Sequence, residues 1–193
     1  MGELDPEMLK FATLAKQDDK ELIQQFRENR EHAFNLIVRK YQERLYWHIR
    51  KMVISHDDAD DVLQNTFLKA FQGLDKFRED ASLFTWLYRI ATNESLTFLK
   101  KQRSRFLLPL GDYQQYLERT LESEPHLDGD ELQIRLQKAI LRLPEKQRLV
   151  FNMKYFDEMK YEDMSAILGT SVGALKASYH HALKKLEQDL TGD

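Results

Sequence analysis

The tightest constraint in this chain lies between Phe77 and Arg103, FREDASLFTWLYRIATNESLTFLKKQR. Leu83, Trp86, Leu87, Ile90 and Ala91 recur at i, i+3, i+4, i+7 and i+8, which makes one buried stripe of an α-helix rather than a strand of period two. Ser82 stands where the N-cap of that helix belongs. The opposite side carries Arg89, Asn93 and Lys100. The end of the helix adds Lys101 and Arg103, so a polar line reaches toward phosphates and base edges. Aromatic Phe77, Phe84, Trp86 and Tyr88 crowd the loop and first turn. Alone, this stretch reads equally well as a core helix with a solvated face or as a nucleic-acid surface.

Helical spacing continues on both sides of it. Phe34, Ile37, Val38, Tyr41, Leu45, His48, Ile49 and Met52 form one stripe, with His48 read as a hydrogen-bonded packing residue. Ala59, Val62, Leu63, Thr66, Phe67, Ala70, Phe71 and Leu74 form another. Only 7 Gly and 4 Pro occur in 193 residues, which favours long helices and an all-α fold. Residues 1–30 read as a polar helical extension without a clean apolar face.

The second of these stripes opens with an acidic run, Asp57 to Asp61. Asp57 or Asp58 suits the N-cap, and the other carboxylates complement the positive end of the helix. That capping role accounts for the cluster without a metal ion, and no further ligand set closes a coordination shell. The outward face of the helix shows Asp61, Gln64, Asn65 and Leu68. A leucine among polar groups points to a docking surface for a protein partner.

After Arg105 the pattern breaks. From Gln102 to Glu131 there are three basic residues against seven acidic, with two prolines and two glycines. That composition reads as a weakly ordered, flexible tether over 104–131, separating a domain at 31–103 from one at 132–190. In the second domain Leu132, Leu136, Ala139, Ile140 and Leu143 make a short amphipathic helix. Pro144 stops it and opens the next. Tyr161 to Leu168, a break at Gly169-Thr170-Ser171, and Val172 to about Leu190 then give a helix-turn-helix. Gly169 suits a left-handed C′ position and Ser171 an N-cap. Val172, Leu175, Tyr179, Ala182, Leu183 and Leu186 are expected to face inward. Gly173, Lys176, Ala177, His180, His181 and Lys184 are expected outward, where small residues admit a backbone and Lys and His offer donors.

The net charge of −3 argues against indiscriminate coating of nucleic acid. There is no Cys, so disulfides and thiolate metal sites are excluded. No apolar run spans a membrane, and MGELDPEM is no signal peptide, so a cytoplasmic protein is expected.

Together, AFNLIVRKYQERLY (33–46), the run from Asp58 to Arg103 and the run from Leu136 to Glu187 resemble bacterial RNA polymerase sigma factors of the extracytoplasmic-function group of the sigma-70 family. The FRxDASxxTWLYRIA type of run is the specific part. The resemblance implies two helical domains, sigma-2 and sigma-4, and a promoter-specificity subunit rather than an enzyme, with no cofactor. Its implied partners are core polymerase (the β′ clamp helices and the β flap), promoter DNA and an anti-sigma factor, with no membrane insertion. It places core binding on Asp60, Asp61, Gln64, Asn65 and Leu68. Minus-ten recognition falls on Gly73, Phe77, Ile90 and Asn93 with Trp86, Tyr88 and Arg89 nearby, and Lys100, Lys101 and Arg103 grip phosphates. Minus-thirty-five recognition falls on Lys176, Ala177, Ser178, His180 and His181, flanked by Ser171, Gly173 and Lys184. The chain departs from the family pattern at Asn65 (usually Glu), at Ser178 and His181 (often Arg) and at Lys160 (usually Ser or Thr). The rival reading is a stand-alone helix-turn-helix regulator, which requires dimerisation and polymerase-independent specific binding.

Overall fold

The computed structural model describes residues 18–78, 81–107, 109–123 and 131–192, and these form an all-α structure. The helices are α1 (Asp19–Glu28), α2 (Arg30–Val53), α3 (His56–Gly73), α4 (Leu83–Phe106), α5 (Leu110–Ser123), α6 (Glu131–Arg142), α7 (Glu145–Tyr155), α8 (Tyr161–Leu168) and α9 (Val172–Thr191). A 3₁₀ turn at Leu74–Lys76 follows α3. Helices α1 to α4 make a first lobe and α6 to α9 a second.

Helices α2, α3 and α4 pack on one another through the expected stripes. Ile37, Tyr41, Leu45, Ile49 and Met52 of α2, and Ala59, Val62, Phe67 and Ala70 of α3, are buried. The α4 stripe is rotated from the expected one. Leu83, Leu87 and Ala91 are buried, but Tyr88, Thr92, Ser95 and Leu99 complete the core face, and Trp86 and Ile90 sit half-buried on its shoulder. Thr92 and Ser95 are tolerated there because their hydroxyls find partners: Ser95 donates to the Ala91 carbonyl and Thr92 meets His48.

Residues 1–17 lie outside the described part, and the polar extension resolves into α1. Leu22, Ile23 and Phe26 are buried, with Phe26 edge-on to Phe34 and Phe71. The Tyr41 hydroxyl donates to the Asp19 carboxylate at 2.7 Å and Lys40 pairs with it at 2.7 Å, so α1 is clamped onto α2. The cap of α3 is Ser55, which accepts from the Asp58 amide, rather than Asp57 or Asp58. Those aspartates occupy the first turn, where they complement the helix dipole.

The acidic segment is not the non-helical tether its composition implies. Residues 110–123 form α5, whose Tyr113, Leu117 and Leu121 are buried. The Tyr113 hydroxyl donates to Gln102 on α4 at 2.7 Å, while Arg142 of α6 bonds Glu118 at 3.0 Å. Carboxylates on the outer side hide a period-four apolar stripe that bridges both lobes. The remainder of that segment, 124–130, lies outside the described residues.

In the second lobe Ala139, Ile140, Leu143, Phe151, Ala182 and Leu186 form a small core. Leu132 and Leu183, expected inward, are exposed. The main core of the first lobe runs on into Leu149, Val150, Met153, Met164 and Leu175. The lobes are also joined by polar bonds. His48, buried on α2, meets Thr92 on α4 through Nε2 at 2.9 Å and Asp157, after α7, through Nδ1 at 2.8 Å. Lys51 pairs with the same carboxylate at 2.6 Å, and Asn152 donates to the Lys51 carbonyl. Burial disfavours the charge on Asp157, but the bonds and charges of His48 and Lys51 outweigh it and hold the carboxyl below its usual range.

A carboxylate with a depressed folded pKa contributes stability above its unfolded value and loses it as pH falls through the folded value. Asp157→Asn should therefore weaken the docked lobes by about 3 kcal/mol at neutral pH. Calorimetry should show a lower transition and scattering a larger radius of gyration. The difference from the unsubstituted protein should shrink in acid, below about pH 4; an unaltered profile would remove Asp157 from the junction.

Candidate nucleic-acid and polymerase interface

Three surfaces carry the residues singled out by the sequence. The first lies where α3 turns into α4. Ser82 caps α4 by accepting from the Thr85 amide at 3.1 Å. The turn brings Phe77 back against Trp86, ring centroids 5.2 Å apart. Gly73 sits under the same indole: a methyl group there would stand 3.2 Å from Trp86 Cζ2. Trp86, Ile90 and Asn93, spaced i, i+4 and i+7, continue this ridge along α4. Asn93 is exposed at its end. Gly73, Phe77, Trp86, Ile90 and Asn93 are thus one contiguous strip with an aromatic floor and an amide beyond it. Of the FREDAS loop, residues 79 and 80 lie outside the described part.

Tyr88 does not belong to that strip. It is buried on the opposite side, packed between Phe84 and His48, and its hydroxyl bonds the Arg44 carbonyl. Burial pushes its phenol up to about 12. The spacing that sends Trp86 to the shoulder sends Tyr88 inward, so its place among DNA-facing residues is withdrawn.

Arg89 is exposed, yet its guanidinium bonds the Ala166 carbonyl near the end of α8. Lys100 and Lys101 are exposed and Arg103 is half-buried at the basic end of α4.

The second surface is α3. Asp61, Gln64, Asn65 and Leu68 recur at i, i+3, i+4 and i+7 on its outer face, all exposed, with Leu68 60% accessible. Asp60 is half-buried at the edge, 3.7 Å from His56. Trp47 of α2, missed by the sequence reading, is also largely exposed beside Tyr46, whose hydroxyl bonds His56 at 2.6 Å. The signal was an aromatic residue off the α2 stripe.

The third surface is the helix-turn-helix. Gly169 ends α8 at φ +63°, and Ser171 caps α9 by accepting from the Ala174 amide at 3.3 Å. Lys160 begins α8 without a side-chain cap bond. Gly173, Lys176, Ala177, His180, His181 and Lys184 are exposed on α9. Ser178 is half-buried. It lines, with Leu168, Thr170 and Ala174, a groove of about 400 Å³ whose far wall includes Leu96 of α4. One side of α9 therefore looks at the first lobe.

Family models for sigma-70 region 2 and sigma-70 region 4 match residues 37–105 and 133–186. The chain is similar to the ECF RNA polymerase sigma factor SigW of Bacillus subtilis, 30% identical over 179 residues, covering 89% of this chain and 96% of that protein. It is also similar to the RNA polymerase sigma-H factor of Pseudomonas aeruginosa, 29% identical, with 92% and 96% covered. The solved structure of CnrH with the cytosolic domain of CnrY aligns with a TM-score of 0.67 at 26% identity, over 91% of this chain and 98% of CnrH. The sigma factor RpoE of Bartonella quintana, solved with the anti-sigma factor NepR, shares the fold at a TM-score of 0.64 and 23% identity, over 83% and 98% of the two chains.

The contact of Gly73 with the indole gives a direct check on the strip. In a Trp47→Phe background, Gly73→Ala should displace Trp86 and shift its fluorescence emission, while changing stability by less than about 1 kcal/mol. An unshifted spectrum would mean that the two do not touch.

Proposed function

The chain belongs to the extracytoplasmic-function group of the sigma-70 family, and from that membership we propose how its three surfaces share the work of a promoter-specificity subunit. The observation that carries the assignment is the strip Gly73–Phe77–Trp86–Ile90–Asn93 on one lobe, together with a capped, outward-facing α9 on the other.

In this reading 31–103 is the sigma-2 domain, supported by α1 of the 1–30 extension. Residues 104–131 are the linker and 132–190 the sigma-4 domain. Asp60, Asp61, Gln64, Asn65 and Leu68 dock on the clamp helices of core polymerase. Leu68 supplies the apolar anchor, and the remaining polar groups set register. The strip captures a base flipped from the non-template strand of the minus-ten element. Extraction costs a few kcal/mol, and stacking on an aromatic platform returns about 1–3 kcal/mol. Asn93 adds hydrogen bonds to the base edge. The deficit falls to phosphate contacts from Arg89, Lys100, Lys101 and Arg103, and to the polymerase, so opening becomes sequence-demanding. Ser171, Gly173, Lys176, Ala177, Ser178, His180, His181 and Lys184 face the minus-thirty-five element. Without the Arg forks common in the family at two of these positions, base readout there leans on Lys and His.

The protein performs no chemistry of its own in this reading and works in the cytoplasm beside the polymerase. Among the described residues no helix is long and apolar enough to cross a membrane. The docked lobes occupy Arg89 with the Ala166 carbonyl and turn Ser178 toward Leu96, so they must part before both promoter elements are engaged. An anti-sigma factor that favours the docked form, as suits relatives solved with CnrY and NepR, is the natural inhibitor.

Asn93→Ala should lower open-complex formation at the cognate promoter by on the order of tenfold, with core binding intact. Unchanged opening would remove the strip from base capture. Leu68→Asp should lower co-purification with core polymerase by about tenfold or more while leaving the fold intact; full retention would displace the docking face.

A further inference from the structure

A cavity of about 280 Å³ lies where α4, α5 and the start of α7 meet. Its wall carries three cations, Lys100 and Arg103 from α4 and Arg148 from α7, against one carboxylate, Glu145. Tyr113 and Gln114 of α5 stand beside them, and leucine side chains close the rest.

Arg148 is the unusual member. It is 7% exposed, and among the described residues its guanidinium makes one long bond, 3.5 Å from Nη1 to the Leu141 carbonyl. Among the described residues no carboxylate forms an ion pair with it, although the charge of Glu145, one turn before it on α7, favours its charged form against the cost of burial. A buried guanidinium without an anion is costly, and such groups are normally matched by carboxylate or phosphate in a fork. Glu145, the carboxylate on the cavity wall, is itself exposed. The Tyr113 hydroxyl is already committed to Gln102. Helix α7 also begins at this wall, after Pro144, without a side-chain cap bond. The three cations and the uncapped start of α7 favour negative charge inside the cavity.

We propose that this cavity binds a compact phosphate-class polyanion, a diphosphate group held between Lys100 and Arg103 of the first lobe and Arg148 of the second. The cavity is small by the standard of ligand sites, so it takes the diphosphate itself and leaves any attached nucleoside outside. A DNA backbone is excluded, because a duplex is too broad to enter the cavity and reach a guanidinium that is only 7% exposed. The bound anion ties the lobes together and occupies two cations of the proposed phosphate grip. It therefore opposes promoter engagement. That second consequence rests on the reading of Lys100 and Arg103 given above; the binding site does not.

The test uses the full chain and sodium diphosphate as probe, at matched ionic strength, with sulfate as control. Calorimetric titration should show saturable single-site binding, and thermal unfolding should shift upward. The Lys100→Gln/Arg103→Gln double variant, which leaves buried Arg148 in place, should bind about tenfold or more weakly. Arg148→Lys, checked for folding by circular dichroism, should also bind more weakly. Absence of saturable binding, equal binding by the double variant, or an equal response to sulfate would overturn the site. A parallel titration with a nucleoside diphosphate separates the sources. Tighter binding supports the site with a nucleotide as ligand, and equal binding supports it with the free anion. In holoenzyme, diphosphate should lower promoter opening. Binding without that effect would overturn the regulatory half and leave the promoter reading standing.

Discussion

One buried imidazole sets the relation between the two halves of this protein. His48 touches Thr92 with one nitrogen and Asp157 with the other, so three separate segments converge on a single ring. Such a group cannot be left half-satisfied in a low-dielectric junction. His48 and then Lys51 favour the ionised form of Asp157, and Phe156 lies against the Lys51 ammonium. With this cluster in place, the core of the first lobe continues into the second, and Arg89 comes within reach of the C-terminal end of α8.

The surfaces on either side of the junction face different fates. The α3 face with Leu68 stays open in the docked arrangement, as does the Lys176–His180 side of α9. Arg89, though exposed, is held by the Ala166 carbonyl, and Ser178 is half-buried. In the function proposed above, a chain in this arrangement offers the α3 face freely while the other lobe engages two of the residues assigned to DNA. That asymmetry suits a subunit that joins its enzyme first and meets promoter DNA afterwards.

Local chemistry made much of this legible in the sequence. Ser82, Gly169 and Ser171 are caps whose partners lie within four residues, and each was recognisable from its neighbours. The α2 and α3 stripes follow from periodicity alone. What escaped is what depends on distant partners. Asp157 looks like a turn residue until His48 and Lys51 are placed beside it. Tyr88 looks like a surface aromatic until the rotated stripe of α4 carries it inward. Helix α5 and the buried face of α1 were hidden because their apolar residues are few and set among charges, so composition outweighed spacing. The strip of the candidate site was readable as residues, mainly through family resemblance, but the fit of Gly73 under Trp86 was not.

Helix α5 has a thermodynamic consequence of its own. Tyr113, Leu117 and Leu121 are buried where both lobes contribute to the packing, beside Leu141 and Leu149. Parting the lobes exposes apolar surface as well as breaking ion pairs, and exposure of apolar surface raises the heat capacity. The balance between docked and parted forms is then a curved function of temperature rather than a straight one. The docked form is firmest at an intermediate temperature and loosens on cooling as well as on warming. A segment that composition marks as a mere spacer would give the protein a thermal response.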